Sequence, residues 1–225
     1  MLEYLKLETW LPENISTYGG DIDFLFYVIY YITGATFLLV AAAMVAFLLV
    51  YRQREGRRAR YTHGSTALEI TWTVGTTLIV VALALMSKPL WARIKQQVPP
   101  SNIQVRVTAK QFNWEILYPG PDGTFDTADD VQMDNELHVP VNRVVQVFLT
   151  SKDVIHSFFL PNLRLKQDVL PGRVIQGWFE ATKPGVYEIP CAELCGFGHS
   201  GMLGYLTVHT DGDYEKWIKA QWPQS

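Results

Sequence analysis

Two long apolar runs occupy the N-terminal part of the chain, and the remainder alternates between apolar and polar positions. The first run, residues 24–51, contains no charged side chain. It is longer than the roughly 20 residues that cross the hydrocarbon core of a bilayer. The second run, residues 70–87, is shorter, and Ala67 and Leu68 extend it. We therefore predict a transmembrane helix hairpin within residues 24–97.

The charged residues between the two runs indicate how the hairpin is oriented. A basic cluster follows the first run directly: Arg52, Arg54, Arg57, Arg58 and Arg60. Basic loops beside a span are retained in the cytoplasm. A nucleic-acid-binding patch is the other interpretation of this cluster. Its position between two apolar runs favours a role in orienting the hairpin in the membrane. The loop near 52–66 is thus predicted to be cytoplasmic, with an N-terminal segment 1–23 and a domain 98–225 on the opposite face.

The pattern after residue 98 changes to a period of two, which is typical of half-buried strands. Strands are predicted at 103–108, 145–150, 174–179, 186–189 and 203–208. Pro-Gly pairs separate several of these segments, and short strands at this spacing predict an all-β sandwich. Residues 213–222 are predicted to form one short amphipathic helix at the end of the domain.

Composition narrows the classes of function. The formal net charge is −3, which argues against nucleic-acid binding. The chain contains no Cys-x2-Cys-His motif, so no c-type haem is attached to it.

Both cysteines lie in one short segment, Cys-Ala-Glu-Leu-Cys-Gly-Phe-Gly-His-Ser-Gly-Met, which spans residues 191–202. Soft thiolates and a thioether favour copper, and imidazole suits copper or zinc. The three glycines predict a loop instead of a helix. His156, which ends the sequence Asp-Val-Ile-His, is the candidate for a second histidine ligand.

Three other interpretations of the cysteine segment are weaker. A structural disulfide is common outside the cytoplasm, but it has no use for the histidine and methionine that follow Cys195. Zinc is disfavoured because methionine is not a usual zinc ligand. A blue copper site takes only one thiolate, two histidines and a weak methionine. The second thiolate therefore favours two coppers bridged by both sulfurs.

The pattern Cys-x-Glu-x-Cys-x3-His-x2-Met, preceded by Asp-Val-x-His-Ser-Phe, resembles the CuA site of subunit II of cytochrome c oxidase. The resemblance covers nearly the whole chain, including the two predicted membrane helices. It implies a binuclear copper centre that relays single electrons. The side-chain ligands that it implies are His156, Cys191, Cys195, His199 and Met202. Glu193 would bind copper through its backbone carbonyl and magnesium, shared with subunit I, through its carboxylate.

The same resemblance implies a fold, partners and a location. The domain 98–225 would be a cupredoxin-like Greek-key sandwich on the periplasmic or extracellular face of a bacterial inner membrane. Electrons would arrive from a c-type cytochrome or a similar periplasmic donor. They would pass to haem in subunit I, where oxygen reduction is coupled to proton pumping. Subunit III and membrane lipid are the further partners that we expect.

Residues outside the ligand set have further candidate roles, and the simpler alternative for Trp114 is that it belongs only to the core. Glu69, in Leu-Glu-Ile-Thr-Trp-Thr, would lie at the mouth of a proton channel, or is only an interfacial carboxylate. Phe112 and Trp114 align with the two tryptophans of the family's Gln-Trp-x-Trp, the first of which receives the electron. Asp153 is the candidate for donor docking. Asp168 would face subunit I, or belongs to an ordinary turn.

The acidic segment 122–136 is best interpreted as a solvated loop, with calcium binding and docking of a cationic cytochrome as alternatives. Three rival functions of the whole chain also stand beside the oxidase. They are a subunit of a copper-containing nitric oxide reductase, a copper-free quinol-oxidase subunit and a membrane-anchored copper carrier. The intact ligand set disfavours the copper-free subunit, and its closed character disfavours the carrier.

Overall fold

The computed structural model describes residues 10–59 and 61–222, so Arg60 of the basic cluster lies outside the described chain. The chain divides into two units. One is helical and comprises Asp21–Ala92. The other is mostly β and comprises Arg93–Ser225 together with the described residues up to Gly20.

Two long apolar helices account for the first part of the chain. Helix α1 spans Gly19–Val50 and helix α2 spans Thr66–Lys95. Their most apolar windows have mean hydropathies of 2.4 and 1.9, and none of either window is buried within the protein. Apolar helices that bury nothing against protein require an apolar surrounding, as a bilayer provides. Both predicted spans are therefore confirmed as helices, but each is longer than its apolar run because polar flanks can continue a helix into the interface.

The β unit contains ten strands among the described residues. They are β1 Ile103–Lys110, β2 Asn113–Tyr118, β3 Val131–Asp134, β4 Glu136–Pro140, β5 Val144–Ser151, β6 His156–Leu160, β7 Leu165–Val169, β8 Ile175–Glu180, β9 Gly185–Pro190 and β10 Leu203–His209. One sheet has the order β3-β2-β1-β5-β8, a second has β4-β10-β9, and β6 pairs with β7. Strands β1 and β5 are parallel, as are β4 and β10, which excludes a simple meander.

The sandwich core follows directly from the period-two pattern. In β1, Val105, Val107 and Ala109 are all fully buried while the residues between them are partly exposed. Trp114 and Phe158 add large side chains that are also fully buried. The predicted β-sandwich is therefore confirmed, and its five predicted strands correspond to β1, β5, β8, β9 and β10.

Two local predictions need correction. The acidic segment is not a loop throughout, because Val131–Asp134 forms β3 and β4 begins at Glu136. Asp168 does not lie in a turn but on β7, opposite Ser157 of β6. Both segments are short and mostly polar, so their pairing with neighbouring strands decides their conformation more than their own pattern does.

The described end of the N-terminal segment packs on the β unit. The backbone N–H of Ile15 donates to the carbonyl of Asn162 at 2.9 Å, and that of Thr182 donates to the carbonyl of Ile15 at 2.8 Å. Tyr18 is buried edge-to-face against Trp178, with ring centroids 5.2 Å apart. A segment that precedes the first span thus lies against the domain that follows the second. This fits a hairpin whose two outer ends share one face of the membrane.

Helix α3, Asp211–Gln221, is held to the second sheet by an aromatic stack. Trp217 stacks on His138 of β4 with centroids 5.0 Å apart and an interplanar angle of 19°. Nδ1 of His138 lies 2.9 Å from Nε2 of His209 on β10. Burial lowers the pKa of both histidines. For His138 the neighbouring His209 lowers the pKa further, and Glu136 opposes this.

This histidine pair predicts that acid weakens the domain. The folded protein favours the neutral imidazoles, whereas the unfolded chain takes up protons near the ordinary pKa of 6.5. Stability is therefore present above that pH and is lost as the pH falls through it toward the lower folded values. We expect the melting temperature of the detergent-solubilised chain, followed by tryptophan fluorescence, to fall between about pH 7.5 and about pH 5. The variant His209→Gln should flatten this profile, and an unchanged profile would contradict the assignment.

Candidate metal centre

The loop between β9 and β10 carries most of the candidate ligands. Cys191 directly follows β9, and Met202 directly precedes β10. The N–H of Cys191 donates to the carbonyl of Met202 at 3.1 Å, which closes the base of the loop. A short 3-10 turn, His199–Gly201, returns the chain to the sheet. The antiparallel β9–β10 pair therefore fixes both ends of the loop.

Strand β6 brings the remaining histidine to this loop. His156 is the first residue of β6 and is fully buried. Phe158 forms a β-bridge with Cys191, and the N–H of Ala192 donates to the carbonyl of Ser157 at 3.0 Å. Backbone pairing thus places β6 beside the ligand loop, although the sequence separates them widely.

The six predicted ligands converge at one end of the sandwich. Cys191 Sγ lies 3.9 Å from Cys195 Sγ, 3.9 Å from Nδ1 of His156 and 3.2 Å from the carbonyl oxygen of Glu193. Cys195 Sγ lies 3.6 Å from Nδ1 of His199 and 3.8 Å from Sδ of Met202. The two sulfurs therefore stand at the centre, with one imidazole and one weaker donor beside each. Thiolate, imidazole and thioether donors are ligands that copper prefers. Because each sulfur has its own imidazole and its own weaker donor, the arrangement can accommodate two copper ions.

The two cysteines are free thiols rather than a disulfide. Both are buried, with 8% and 3% of their surface exposed. Burial first, and the neighbouring Cys191 second, raise the pKa of Cys195 to about 11. A soft cation that binds here must displace the thiol protons, since the thiolate is the metal ligand.

Asp153 orients the His156 imidazole. Its Oδ1 lies 2.8 Å from Nε2 of His156, while Nδ1 faces the sulfur of Cys191. Burial alone would raise the pKa of Asp153, but hydrogen bonds from His156 and from the N–H groups of Gln111 and Val154 outweigh it and lower the pKa to about 2. A carboxylate on the distal nitrogen fixes the orientation of a ligating histidine. The docking role of Asp153 stays a prediction, and its carboxylate is already engaged within the domain.

Gln111 and Phe112 support the loop from outside. The side-chain N–H of Gln111 donates to the carbonyl of Cys195 at 2.6 Å. Gly198 packs against the Phe112 ring so closely that a Cβ there would lie 2.5 Å from Cδ2. Gly196 has φ of +138°, a conformation that side chains rarely adopt. Glycine is therefore required at these positions by close approach and by backbone geometry.

The two candidates for receiving the electron occupy different places. Phe112 is 38% exposed, and its ring packs against the glycines of the ligand loop. Trp114 is fully buried, and its Nε1 donates to the carbonyl of Ile189 at 3.1 Å. Its ring meets that of His156 edge-on, with centroids 6.2 Å apart. Trp114 therefore belongs to the core beneath the ligands, and only Phe112 of this pair reaches the surface.

The other predicted residues are spread more widely. The side chain of Glu193 is exposed on the ligand loop. Asp168 accepts a hydrogen bond at 2.8 Å from Ser157, the residue after His156, and this bond lowers its pKa. Glu69 lies in the first turn of α2, in the helical unit. Asp168 is thus near the site, whereas Glu69 belongs to the other unit.

The acidic segment begins at the far end of β2 from the ligands. Strand β2 runs from Asn113, beside Phe112, to Tyr118, a distance of about 17 Å at the usual rise per residue. The guanidinium group of Arg106 forms a bidentate ion pair with the carboxylate of Asp126, with N–O distances of 2.7 and 3.0 Å. The segment then returns along β3, so that Asp134 pairs with Glu115 near the ligand end of β2.

Sequence reasoning did not find the role of Gln111. The residue stands in the Gln-Phe-Asn-Trp motif, but its two bonds reach Cys195 and Asp153, which are remote in sequence. The position of Gln111 directly before Phe112 does not indicate that it bonds to both of these residues. Only the folded arrangement shows that it ties both ligand-bearing loops together.

The fold and the site together define a class, the membrane-anchored electron-transfer proteins with a cupredoxin-like copper domain. Family models match both parts of the chain. The model described as cytochrome c oxidase subunit II, periplasmic domain, matches residues 105–208. The corresponding transmembrane-domain model matches residues 7–90. The chain belongs to the cytochrome c oxidase subunit II family.

Individual relatives agree with this assignment. The chain is 31% identical to the alternative cytochrome c oxidase subunit 2 of Bradyrhizobium diazoefficiens, over 94% of this chain and 83% of the relative. It is also 31% identical to a cytochrome c oxidase subunit 2 of Cereibacter sphaeroides, over 85% of this chain and 75% of the relative. The crystallised periplasmic domain of subunit II from Bradyrhizobium japonicum is 33% identical, with a TM-score of 0.50, covering 56% of this chain and 98% of that one. The expected cupredoxin-like fold is therefore confirmed.

Close packing of Phe112 on the loop predicts a position-specific effect of alanine. Gly198→Ala forces a Cβ into the ring and should destabilise the copper-loaded protein by about 1–3 kcal/mol. Gly201→Ala is the matched control, because a Cβ there meets no atom within 4 Å. Thermal unfolding of both variants, with the copper spectrum recorded in parallel, measures the difference. Equal melting temperatures would show that the ring can move away without cost.

Proposed function

We propose that this chain receives electrons one at a time from a c-type cytochrome on a binuclear CuA centre and delivers them to haem in subunit I. Membership of the family makes it the subunit through which electrons enter a haem–copper oxidase. The observation that carries the binuclear assignment is the central pair of free, buried thiols with matched donors on either side. A mononuclear copper site of the blue type takes only one thiolate ligand, so the second thiolate favours two copper ions.

The residues of this chain would hold, orient and shield the centre. His156, Cys191, Cys195, His199 and Met202 would bind copper through side chains, and Glu193 through its carbonyl. Bound copper supplies the one-electron redox chemistry, shared over two ions. The β9–β10 pair and β6 hold the ligands on a rigid frame, so they move little when the charge of the centre changes. Trp114 and Phe158 close the inner side against water.

The remaining predicted roles belong to the assembled complex. The carboxylate of Glu193 is exposed on the ligand loop and would bind magnesium shared with subunit I. Asp168, near β6, would face the same subunit, and Glu69 would lie at the mouth of its proton channel. Oxygen reduction coupled to proton pumping would occur in subunit I, and subunit III would complete the complex.

The proposed location follows from the helices and the basic cluster. Residues 24–97 would form the hairpin in the bacterial inner membrane, with the loop near 52–66 in the cytoplasm. The copper domain, 98–225, and the segment 1–23 would lie on the periplasmic face. Packing of Ile15 and Tyr18 on the copper domain supports a common face for both.

Metal analysis of the purified chain tests the central proposal. We expect two coppers per chain and a purple species whose EPR signal shows one electron shared over two nuclei. Cys195→Ser removes one of the two bridging sulfurs and should abolish this signal. One copper per chain with a single-nucleus, blue spectrum in the native protein would refute the binuclear assignment.

Substitution of Glu193 separates its two proposed roles. Glu193→Gln keeps the backbone carbonyl, so both coppers and most of the spectrum should remain. A neutral amide is a much weaker ligand than a carboxylate for a hard cation. The assembled complex should therefore lose or weaken its magnesium and pass electrons from copper to haem more slowly.

Metal content and internal electron transfer of that variant complex decide the matter. Loss of copper at unchanged folding would show that the side chain itself supports the copper pair. Unchanged magnesium together with unchanged electron transfer would make Glu193 an ordinary exposed carboxylate.

A further inference from the structure

An apolar groove runs along one side of α1 and ends at an arginine. We call it the α1 groove, and its volume is about 640 Å³. Its lining residues recur every three or four positions, so they share one face of the helix. They are Val40, Ala43, Met44, Phe47, Leu48, Tyr51 and Arg52. The five large apolar side chains among them are each more than half exposed, so the described chain leaves this face uncovered.

The length of the α1 groove matches one leaflet of a bilayer. From Val40 to Tyr51 the helix rises by about 17 Å at the usual rise per residue. Half of the hydrocarbon core of a bilayer is about 15 Å thick. Tyr51 stands at the end of the groove, and aromatic residues of this kind lie at the membrane interface. The groove therefore extends from the middle of the bilayer to its surface, which is the depth that one acyl chain occupies.

Two arginines meet at the interfacial end of the α1 groove. Arg52 directly follows Tyr51 and is exposed. The chain then turns back, because the N–H of Arg57 donates to the carbonyl of Arg54 at 3.1 Å. The guanidinium of Arg57 donates to the carbonyl of Val50 at 3.0 Å, which places this side chain over the last turn of α1. A guanidinium has five N–H donors, so Arg57 has donors left for a further acceptor.

The charge of the loop after α1 suits an anion. Residues 52–59 contain four arginines and only one acidic residue, Glu55. All residues of this stretch are exposed. Guanidinium groups bind phosphate through pairs of parallel hydrogen bonds. Basic clusters directly beside a membrane span attract anionic lipids. The loop thus offers a phosphate site at the end of an apolar groove.

A partner helix is expected on a different side of α1. Membrane helices approach each other through small residues, and α1 carries Ala35, Ala42 and Ala46 at spacings of seven and four. Two residues correspond to about 200° of helical rotation, so Ala42 lies nearly opposite Met44 of the groove. The small residues and the α1 groove therefore occupy opposite sides of the helix, which leaves the groove to lipid.

We propose that the α1 groove holds one acyl chain of an anionic phospholipid from the cytoplasmic leaflet, with its phosphate bound by Arg52 and Arg57. This inference goes beyond electron transfer, and it rests only on the proposed membrane location. The lipid covers apolar surface that the chain leaves exposed. Its headgroup balances the positive charge at the end of α1.

Selectivity for the headgroup is the first test. The probes are phosphatidylglycerol and phosphatidylcholine with identical acyl chains, added to the detergent-solubilised full chain and counted by native mass spectrometry. Phosphatidylglycerol should bind with an affinity about tenfold or more above that of phosphatidylcholine. Equal affinities would overturn the proposal. Displacement of phosphatidylglycerol by millimolar inorganic phosphate would also overturn it, because the site would then recognise the free anion.

Variants of the two arginines are the second test. Arg52→Gln should lower the affinity for phosphatidylglycerol about fivefold, and the double variant with Arg57→Gln about 25-fold, because each arginine near an anionic headgroup contributes about the first of these factors. Lys88→Gln is the matched control, since Lys88 is an exposed cation in the last third of α2, away from the loop. An equal loss in the control, or no loss in the double variant, would exclude the arginines as the headgroup site.

The seat of the acyl chain is tested separately. Ala43 is the smallest residue that lines the α1 groove. Ala43→Phe fills the groove and should lower the affinity for phosphatidylglycerol by about tenfold. Ala41→Phe is the control, because Ala41 does not line the groove. An unchanged affinity in Ala43→Phe would place the lipid elsewhere and contradict the proposal.

The assembled oxidase provides the last readout. The native complex should retain phosphatidylglycerol through purification, and the double arginine variant should lose it while its copper content and copper spectrum stay native. If the native complex retains no such lipid, another subunit covers the α1 groove and the proposal is wrong. A native complex that retains the lipid but holds no copper would contradict the proposed function and would still support the lipid site.

Discussion

The closure of the ligand loop on a pair of antiparallel strands is the constraint on which the site depends. The backbone bond from Cys191 to Met202 holds the first and last ligands at the same level of the β9–β10 ladder. The bridge from Phe158 to Cys191 then fixes β6, and with it His156, to the same point. Because these contacts are made by backbone, the side chains of the candidate ligands are free to converge on one point. The geometry thus depends on strand pairing, which resists small side-chain changes.

Part of this arrangement could be predicted from sequence, and the rest depends on contacts between distant segments. Residue types and spacing indicated Cys191, Cys195, His199 and Met202 because they lie in one loop, where local order determines proximity. Strands β1, β5, β8, β9 and β10 followed from alternation. Strands β2, β3, β4, β6 and β7 were not predicted. Of these, β3 and β7 are short and mostly polar, and they form because a neighbouring strand offers hydrogen bonds. The bridging role of Gln111 was hidden for the same reason.

Phe112 and Trp114 are two residues apart in sequence but occupy different environments, one at the surface and one in the core. Residues two apart on a strand share a face, but Phe112 precedes β2 and therefore does not follow its alternation. Trp114 lies under the ligands and fills the core beside His156. Phe112 covers the glycine backbone of the loop at the surface. A motif that aligns as two aromatic residues thus becomes one structural residue and one surface residue.

The glycines of the ligand loop allow its tight backbone, and the side chains of Phe112 and Gln111 cover that backbone. The loop must bring five ligands to one point between Cys191 and Met202, which requires tight turns and, at Gly196, a positive φ. Such a backbone exposes its peptide groups unless something covers them. The ring of Phe112 and the amide of Gln111 provide that cover, one by packing on Gly198 and the other by bonding to Cys195. Phe112 is therefore partly buried by the backbone that it covers, whereas the ring of Phe197 in the same loop is fully solvated.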